Sequence, residues 1–159
     1  MTGLADKPHT TGPLASDIGA MAFIQSSSLC RDLPTPLCDE LIAQGEVVAY
    51  DAAQVVLVEG DHDNALYFIL EGSVAICKRN GSEFIEVATL ERPAVFGETA
   101  VLTEQPRSAT VVCQTDVRLV RVPGNLVRSL AERDAKLGRM LATLMAARVK
   151  DNEKKLGPT

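Results

Sequence analysis

Between Val47 and Val122 short β-branched and aliphatic runs are cut apart by clusters of turn residues, and that pattern leaves little but an antiparallel β architecture. The breaks are Asp51-Ala52-Ala53, Glu59-Gly60-Asp61-His62-Asp63-Asn64, Arg79-Asn80-Gly81-Ser82 and Glu91-Arg92-Pro93. Strands at this spacing predict a compact antiparallel β-barrel or jelly roll of about eight strands. Leu66 to Leu70 is apolar at every position and reads as a core strand. Asn80-Gly81 is a hairpin signal, because both residues tolerate positive φ. The strand pattern is interrupted over 97–107, where Gly, Glu, Gln and Pro predict a short helix and a loop.

The flanks carry a different period. Residues 1–19 are rich in Thr, Gly, Pro and Asp without a sustained apolar period, and are expected to be a disordered or flexible tail. Over 20–44 the apolar residues Phe23, Ile24, Leu29, Leu37, Leu41 and Ile42 predict two short helices divided at Pro34-Thr35-Pro36, with Pro36 in a first helical turn. After the barrel segment 46–122, residues 123–156 predict C-terminal helices. Leu137, Met140, Leu141, Leu144, Met145 and Val149 recur there at helical spacing, before Gly157-Pro158. The fold class is therefore α+β, mainly β. A chain of 159 residues with 46% hydrophobic content supports one domain, placed at 20–156.

The interruption is also where chemistry concentrates. Residues 96–110 read Phe-Gly-Glu-Thr-Ala-Val-Leu-Thr-Glu-Gln-Pro-Arg-Ser-Ala-Thr. A glycine lets backbone approach a ligand closely, and a helix opening after it aims N–H groups at an anion. A cyclic phosphodiester bears one charge on two equivalent oxygens, which suits the planar fork of a guanidinium better than a lysine. Arg107 is the candidate phosphate ligand, expected on an exposed loop. Glu98 can accept a hydrogen bond from a ribose hydroxyl, provided that it faces the sugar while Arg107 and the amides near Ala100 face the phosphate.

Phe96-Gly97-Glu98-Thr99-Ala100-Val101-Leu102, followed by Pro106-Arg107-Ser108-Ala109-Thr110-Val111, resembles the phosphate-binding cassette of cyclic-nucleotide-binding domains. Catabolite-activator-type bacterial regulators, regulatory subunits of cyclic-AMP-dependent kinase and cyclic-nucleotide-gated channels share that cassette. Glu59-Gly60-Asp61 and Ala65 to Gly72 extend the likeness, which covers roughly residues 20–156. The resemblance implies a non-enzymatic sensor whose ligand is held by Phe96, Gly97, Glu98, Thr99, Ala100, Arg107, Ser108 and Ala109. It also implies a phosphate-binding helix at the cassette. Relatives that favour guanine often carry threonine where Ser108 stands, so cyclic AMP is expected ahead of cyclic GMP. Met145-Ala146-Ala147-Arg148-Val149-Lys150-Asp151-Asn152 is weakly similar to the dimer helix of catabolite-activator-like regulators. Met145, Arg148 and Asn152 become candidate lid residues, with Asn152 facing a purine edge and Arg148 either paired with a body acid or in water. Lid and homodimer helix stand as compatible readings of this segment.

The remaining composition narrows the function. Residues 1–117 hold 6 basic and 17 acidic side chains, and residues 118–159 hold 10 and 4. A net charge of -5 argues against a general nucleic-acid binder, and no helix-turn-helix pattern follows the last helix. No apolar run approaches a membrane span and no secretory start is present, so a cytoplasmic protein without membrane contact is expected. Cys30, Cys38, Cys77 and Cys113 form no Cys-x-x-Cys pair and read as free, mostly buried thiols. His9 and His62 offer no metal set and no base beside a nucleophile, so no metal, cofactor or catalytic residue is expected. The output is expected to be an effector protein, a self-assembly step or a region outside this sequence. The reading from another class is a structural or dimerisation module that keeps this fold without binding ligand.

Overall fold

The computed structural model describes residues 4–156, with side chains described through Asp151. The central strand β4 (Leu66–Glu71) is apolar on both faces because it lies in the middle of three layers. Alternate residues of a strand point to opposite faces. Leu66, Phe68 and Leu70 pack into a core shared with the helices, while Tyr67 and Ile69 pack against a second sheet. The last strand, β9 (Val117–Val122), divides in the same way, with Val120 and Val122 towards the helices and Val117 and Leu119 towards the other sheet.

Among the described residues nine strands form two antiparallel sheets. The first has the order β1 (Thr10–Pro13), β2 (Glu46–Tyr50), β9, β4, β7 (Val95–Phe96). The second has the order β3 (Val55–Leu57), β8 (Thr110–Cys113), β5 (Ser73–Asn80), β6 (Glu83–Glu91). Two packed antiparallel sheets of this topology make the expected jelly roll, with the helices α1 (Ile18–Ser26), α2 (Thr35–Gln44), α4 (Gly124–Arg133) and α5 (Ala135–Leu156) around it. The short helix α3 (Glu98–Thr103) interrupts the strands between β7 and β8. Asp134 closes α4 and its carboxylate accepts the Leu137 N–H at 3.2 Å, so a single residue joins α4 to α5. No described helix is long and apolar enough to cross a membrane. Cys30, Cys38 and Cys113 are buried and Cys77 half-buried, all as free thiols. Burial pushes the Cys30 thiol up to about 11 and that of Cys113 up to about 12.

Two local expectations are corrected. The β5–β6 turn is made by Gly81-Ser82, with Asn80 still paired to Glu83. Only the first central residue takes positive φ, at 67° for Gly81, so a Gly-first two-residue turn forms and Asn80 stays in the strand. The segment expected as a flexible tail is tied down through most of its length. Asp6 N–H donates to the Val55 carbonyl at 2.8 Å, and β1 pairs with β2 from Thr10 to Pro13. Leu14 is fully buried in the helical core. The sequence lacks an apolar period here because one leucine anchors the segment while backbone pairing does the rest. Pro13 adds no ladder donor, which an edge strand tolerates. The folded unit thus includes residues that sequence placed outside it.

Replacing Leu14 by Ala is expected to lower the free energy of unfolding by about 2–4 kcal/mol, the cost of emptying a buried leucine site. Chemical denaturation checks this, and a flexible tail gives no change.

Candidate functional site

β7 ends at Phe96 and the chain turns at Gly97, whose φ of 91° lies in the left-handed region. A Cβ at Gly97 would stand 2.8 Å from both the Ala65 carbonyl oxygen and Arg107 Nη1. Glycine is therefore required twice, by backbone conformation and by the close approach of the Ala65 carbonyl. α3 follows and ends at Glu104, also in the left-handed region, and the chain returns through Pro106 and Arg107 to β8.

Arg107 is 3% exposed, which corrects the expectation of a side chain on an exposed loop. Its backbone is bound on both sides to the β3–β4 loop, with its N–H donating to Asp61 O at 2.7 Å and its carbonyl accepting the Gly60 N–H at 2.9 Å. This pairing draws the side chain inward. Nη1 donates to Gly97 O at 3.2 Å, and Nη2 donates to Ala65 O at 2.8 Å and to Asp63 Oδ1 at 3.1 Å. The guanidinium carbon lies 5.9 Å from the Tyr67 ring centroid, and Tyr67 stacks on Phe96 at 5.0 Å with the rings nearly parallel. Burial pushes the Tyr67 phenol above its ordinary range, so this platform is neutral. Arg107 Nε is buried and has no hydrogen-bond partner. A buried donor left unmatched costs about 1–3 kcal/mol, so this atom calls for an acceptor.

Glu98, the first residue of α3, is 4% exposed. Its Oε2 accepts the backbone N–H and the hydroxyl of Thr99, both at 3.2 Å. Its Oε1 is ion-paired with Arg148 Nη1 from α5. Of the two alternatives for Arg148, the structure takes the body acid.

These groups border one cleft, open to solvent on one side. Phe96, Gly97, Glu98, Thr99 and Ala100 line one wall together with Arg107, Ser108 and Ala109. All eight cassette residues picked out in the sequence are thus brought together. Leu57, Ile76, Ala88, Leu90 and Val111 of the second sheet form an apolar wall, and Arg148, Val149 and Asp151 of α5 close the far side. The mixture of an apolar wall with few polar groups suits a small molecule bearing an anionic end. Met145 is half-buried and lies outside this lining, so of the lid candidates Arg148 alone reaches the cleft among the described side chains. The side chain of Asn152 lies outside the described residues.

Sequence reading missed the half-buried Lys78, which lines the cleft from β5, and Asp63, which fixes Arg107 from 44 residues away. The signal for Lys78 was its period-2 relation to Val74 and Ile76, which places it on their face of β5. Asp63 carried none beyond its place in a turn.

Residues 47–134 match the family profile described as the cyclic nucleotide-binding domain. The chain is 35% identical over 101 residues to the cAMP-dependent protein kinase regulatory subunit of Aspergillus niger, covering 64% of this chain and 24% of that protein. It is 30% identical over 107 residues to the lysophospholipase nte1 of Aspergillus fumigatus, covering 67% of this chain and 7% of the relative. The chain therefore spans a quarter or less of the length of these two relatives. The crystal structure of a cyclic nucleotide-binding domain from Methylobacillus flagellatus superposes with a TM-score of 0.69 at 21% identity, covering 91% of this chain and 84% of that one, and shares the fold. With its profile spanning more than half of the sequence and its fold shared, the chain belongs to the cyclic nucleotide-binding domain family.

Proposed function

We propose that this domain binds a cyclic nucleotide in the cassette cleft and uses α5 to report occupancy. The observation that carries the reading is the buried Arg107 whose Nε has no partner, set in a cleft with Glu98 on the same wall. A phosphodiester oxygen supplies the missing acceptor and a counter-charge for a guanidinium balanced by only the half-exposed Asp63. Gly97 and Ala100 bring backbone to the phosphate, Thr99, Ser108 and Ala109 surround it, and Phe96 supports the floor. Glu98 accepts the ribose 2′-hydroxyl, and the apolar wall takes the purine.

Cyclic AMP is the preferred ligand and cyclic GMP a tolerated second, because Ser108 offers a hydroxyl without the methyl group of a threonine. The domain acts in the cytoplasm on an effector protein and performs no catalysis of its own. Its relation to kinase regulatory subunits supports the regulatory role. A homodimer through α5 is compatible with the apolar Val149, which is 47% exposed. One observation favours the second reading, a dimerisation module that no longer binds ligand: Arg148 of the chain itself already holds the Glu98 carboxylate.

Calorimetry with cyclic AMP separates the two, since folded protein that takes up no nucleotide at millimolar concentration is a structural module. In the binding protein Arg107→Ala is expected to weaken affinity by about 2–4 kcal/mol, the worth of charge-assisted hydrogen bonds to the phosphate. The same variant loses three internal hydrogen bonds, so its denaturation midpoint should fall as well. Arg107→Lys keeps the charge but not the fork, and about a tenfold weaker affinity is expected from one lost charged hydrogen bond. Equal affinities across the series remove Arg107 from the site. Gly97→Ala should cost both stability and affinity, by about 1–3 kcal/mol in unfolding free energy for backbone strain alone. Paired denaturation and calorimetry measure both effects.

A further inference from the structure

α5 is held to the body by a seam that changes character along its length. Leu137 and Leu141 are buried in the helical core and Leu144 packs partly against it. The next step at helical spacing is Arg148, which leaves the core and reaches the cleft. Val149 beside it is 47% exposed, so at this point of the described helix the seam ends on an ion pair rather than on apolar packing. The carboxylate that receives it is 4% exposed and takes its other hydrogen bonds from Thr99, the residue next to it in α3.

We propose that Arg148 is an internal competitor for Glu98: it latches the end of α5 across the cleft in the ligand-free protein, and a ribose 2′-hydroxyl must displace it. The proposal rests on the nucleotide reading of this cleft. Glu98 has one oxygen occupied by the start of α3 and the other by Arg148, so a hydroxyl and the guanidinium cannot both be served fully at Oε1. Binding then exchanges a charged partner inside the chain for a neutral one on the ligand. The freed Arg148 carries the end of α5 with it, because no buried apolar residue follows Leu141 among the described side chains of that helix. The latch lowers apparent affinity by the fraction of molecules in which it is open, and one that is open in about a tenth of them weakens binding about tenfold.

Arg148→Gln tests this on the full chain, since glutamine keeps helix propensity and part of the stem while removing the charge. Two probes are titrated by calorimetry, cyclic AMP and 2′-deoxy-cyclic AMP, and amide hydrogen exchange of 145–151 is followed without ligand. The expected result is cyclic AMP binding about five- to tenfold tighter in Arg148→Gln than in wild type. The preference for cyclic AMP over the deoxy ligand widens, because Glu98 is no longer pre-occupied, and exchange over 145–151 becomes faster. Unchanged or weaker cyclic AMP binding in the variant, with exchange unaltered, overturns the latch and leaves the nucleotide reading in place. Faster exchange while neither protein binds either probe overturns that reading and the competition with it, and leaves only an α5 fastening.

Discussion

The buried guanidinium of Arg107 ties together segments that are far apart in sequence, and the geometry of the cleft depends on it. Its backbone pins the β3–β4 loop through Asp61 and Gly60, and its side chain bonds Ala65 at the start of β4 and Gly97 at the start of α3. A cation with this little solvent is costly unless its donors are matched. Three of its contacts are internal, one of them the half-exposed Asp63 carboxylate, and Nε is unmatched. The fold thus holds the side chain rigidly in place while leaving its hydrogen bonding incomplete. Such an arrangement favours an anionic partner, because the protein has met most of the ordering cost beforehand.

The rigidity comes from the layer that β4 occupies. One face of the strand is packed under helices and the other against the second sheet, so neither Ala65 nor Tyr67 can shift without disturbing a core. Close-packed interiors resist such displacement. The Tyr67–Phe96 stack continues that support to the residue just before Gly97. By contrast, α3 has six residues and is bounded at both ends by left-handed backbone, an element placed by its flanks more than by its own stability.

Much of this was legible in the sequence because it is local or periodic. The alternation and turn clusters over 47–122 carry the antiparallel architecture, and the continuous apolar run at 66–70 signals a strand covered on both faces. The cassette residues lie within fifteen positions of one another, so their common location could be read from spacing together with resemblance. What escaped depends on partners distant in sequence. Burial of Arg107 requires Asp63 and Ala65, more than forty residues earlier, and no period links them. The ordered segment before α1 hangs on backbone pairing with β2 and on one leucine, and pairing of this kind leaves no pattern in side-chain identity. The β5–β6 turn shifted by one residue because Gly81 alone meets its positive-φ requirement, a choice that composition does not fix.

Glu98 shows why position alone underdetermines a role. The sequence places a carboxylate beside the candidate anion site, where its charge is unfavourable unless another cation answers it. The structure supplies that cation from α5, fifty residues later, and so moves the local balance from a guanidinium opposed by acids to two guanidinium–carboxylate pairs. The two pairs differ in kind. Arg107 is fixed by backbone carbonyls as well as by Asp63, whereas the described tie of the Arg148 side chain is Glu98 alone. The Arg148–Glu98 pair, held at one end by the six-residue α3 and at the other by a stretch of α5 beyond its buried leucines, is the weaker link. On the proposed reading, a ligand that engages both groups moves α5 before it moves the sheet.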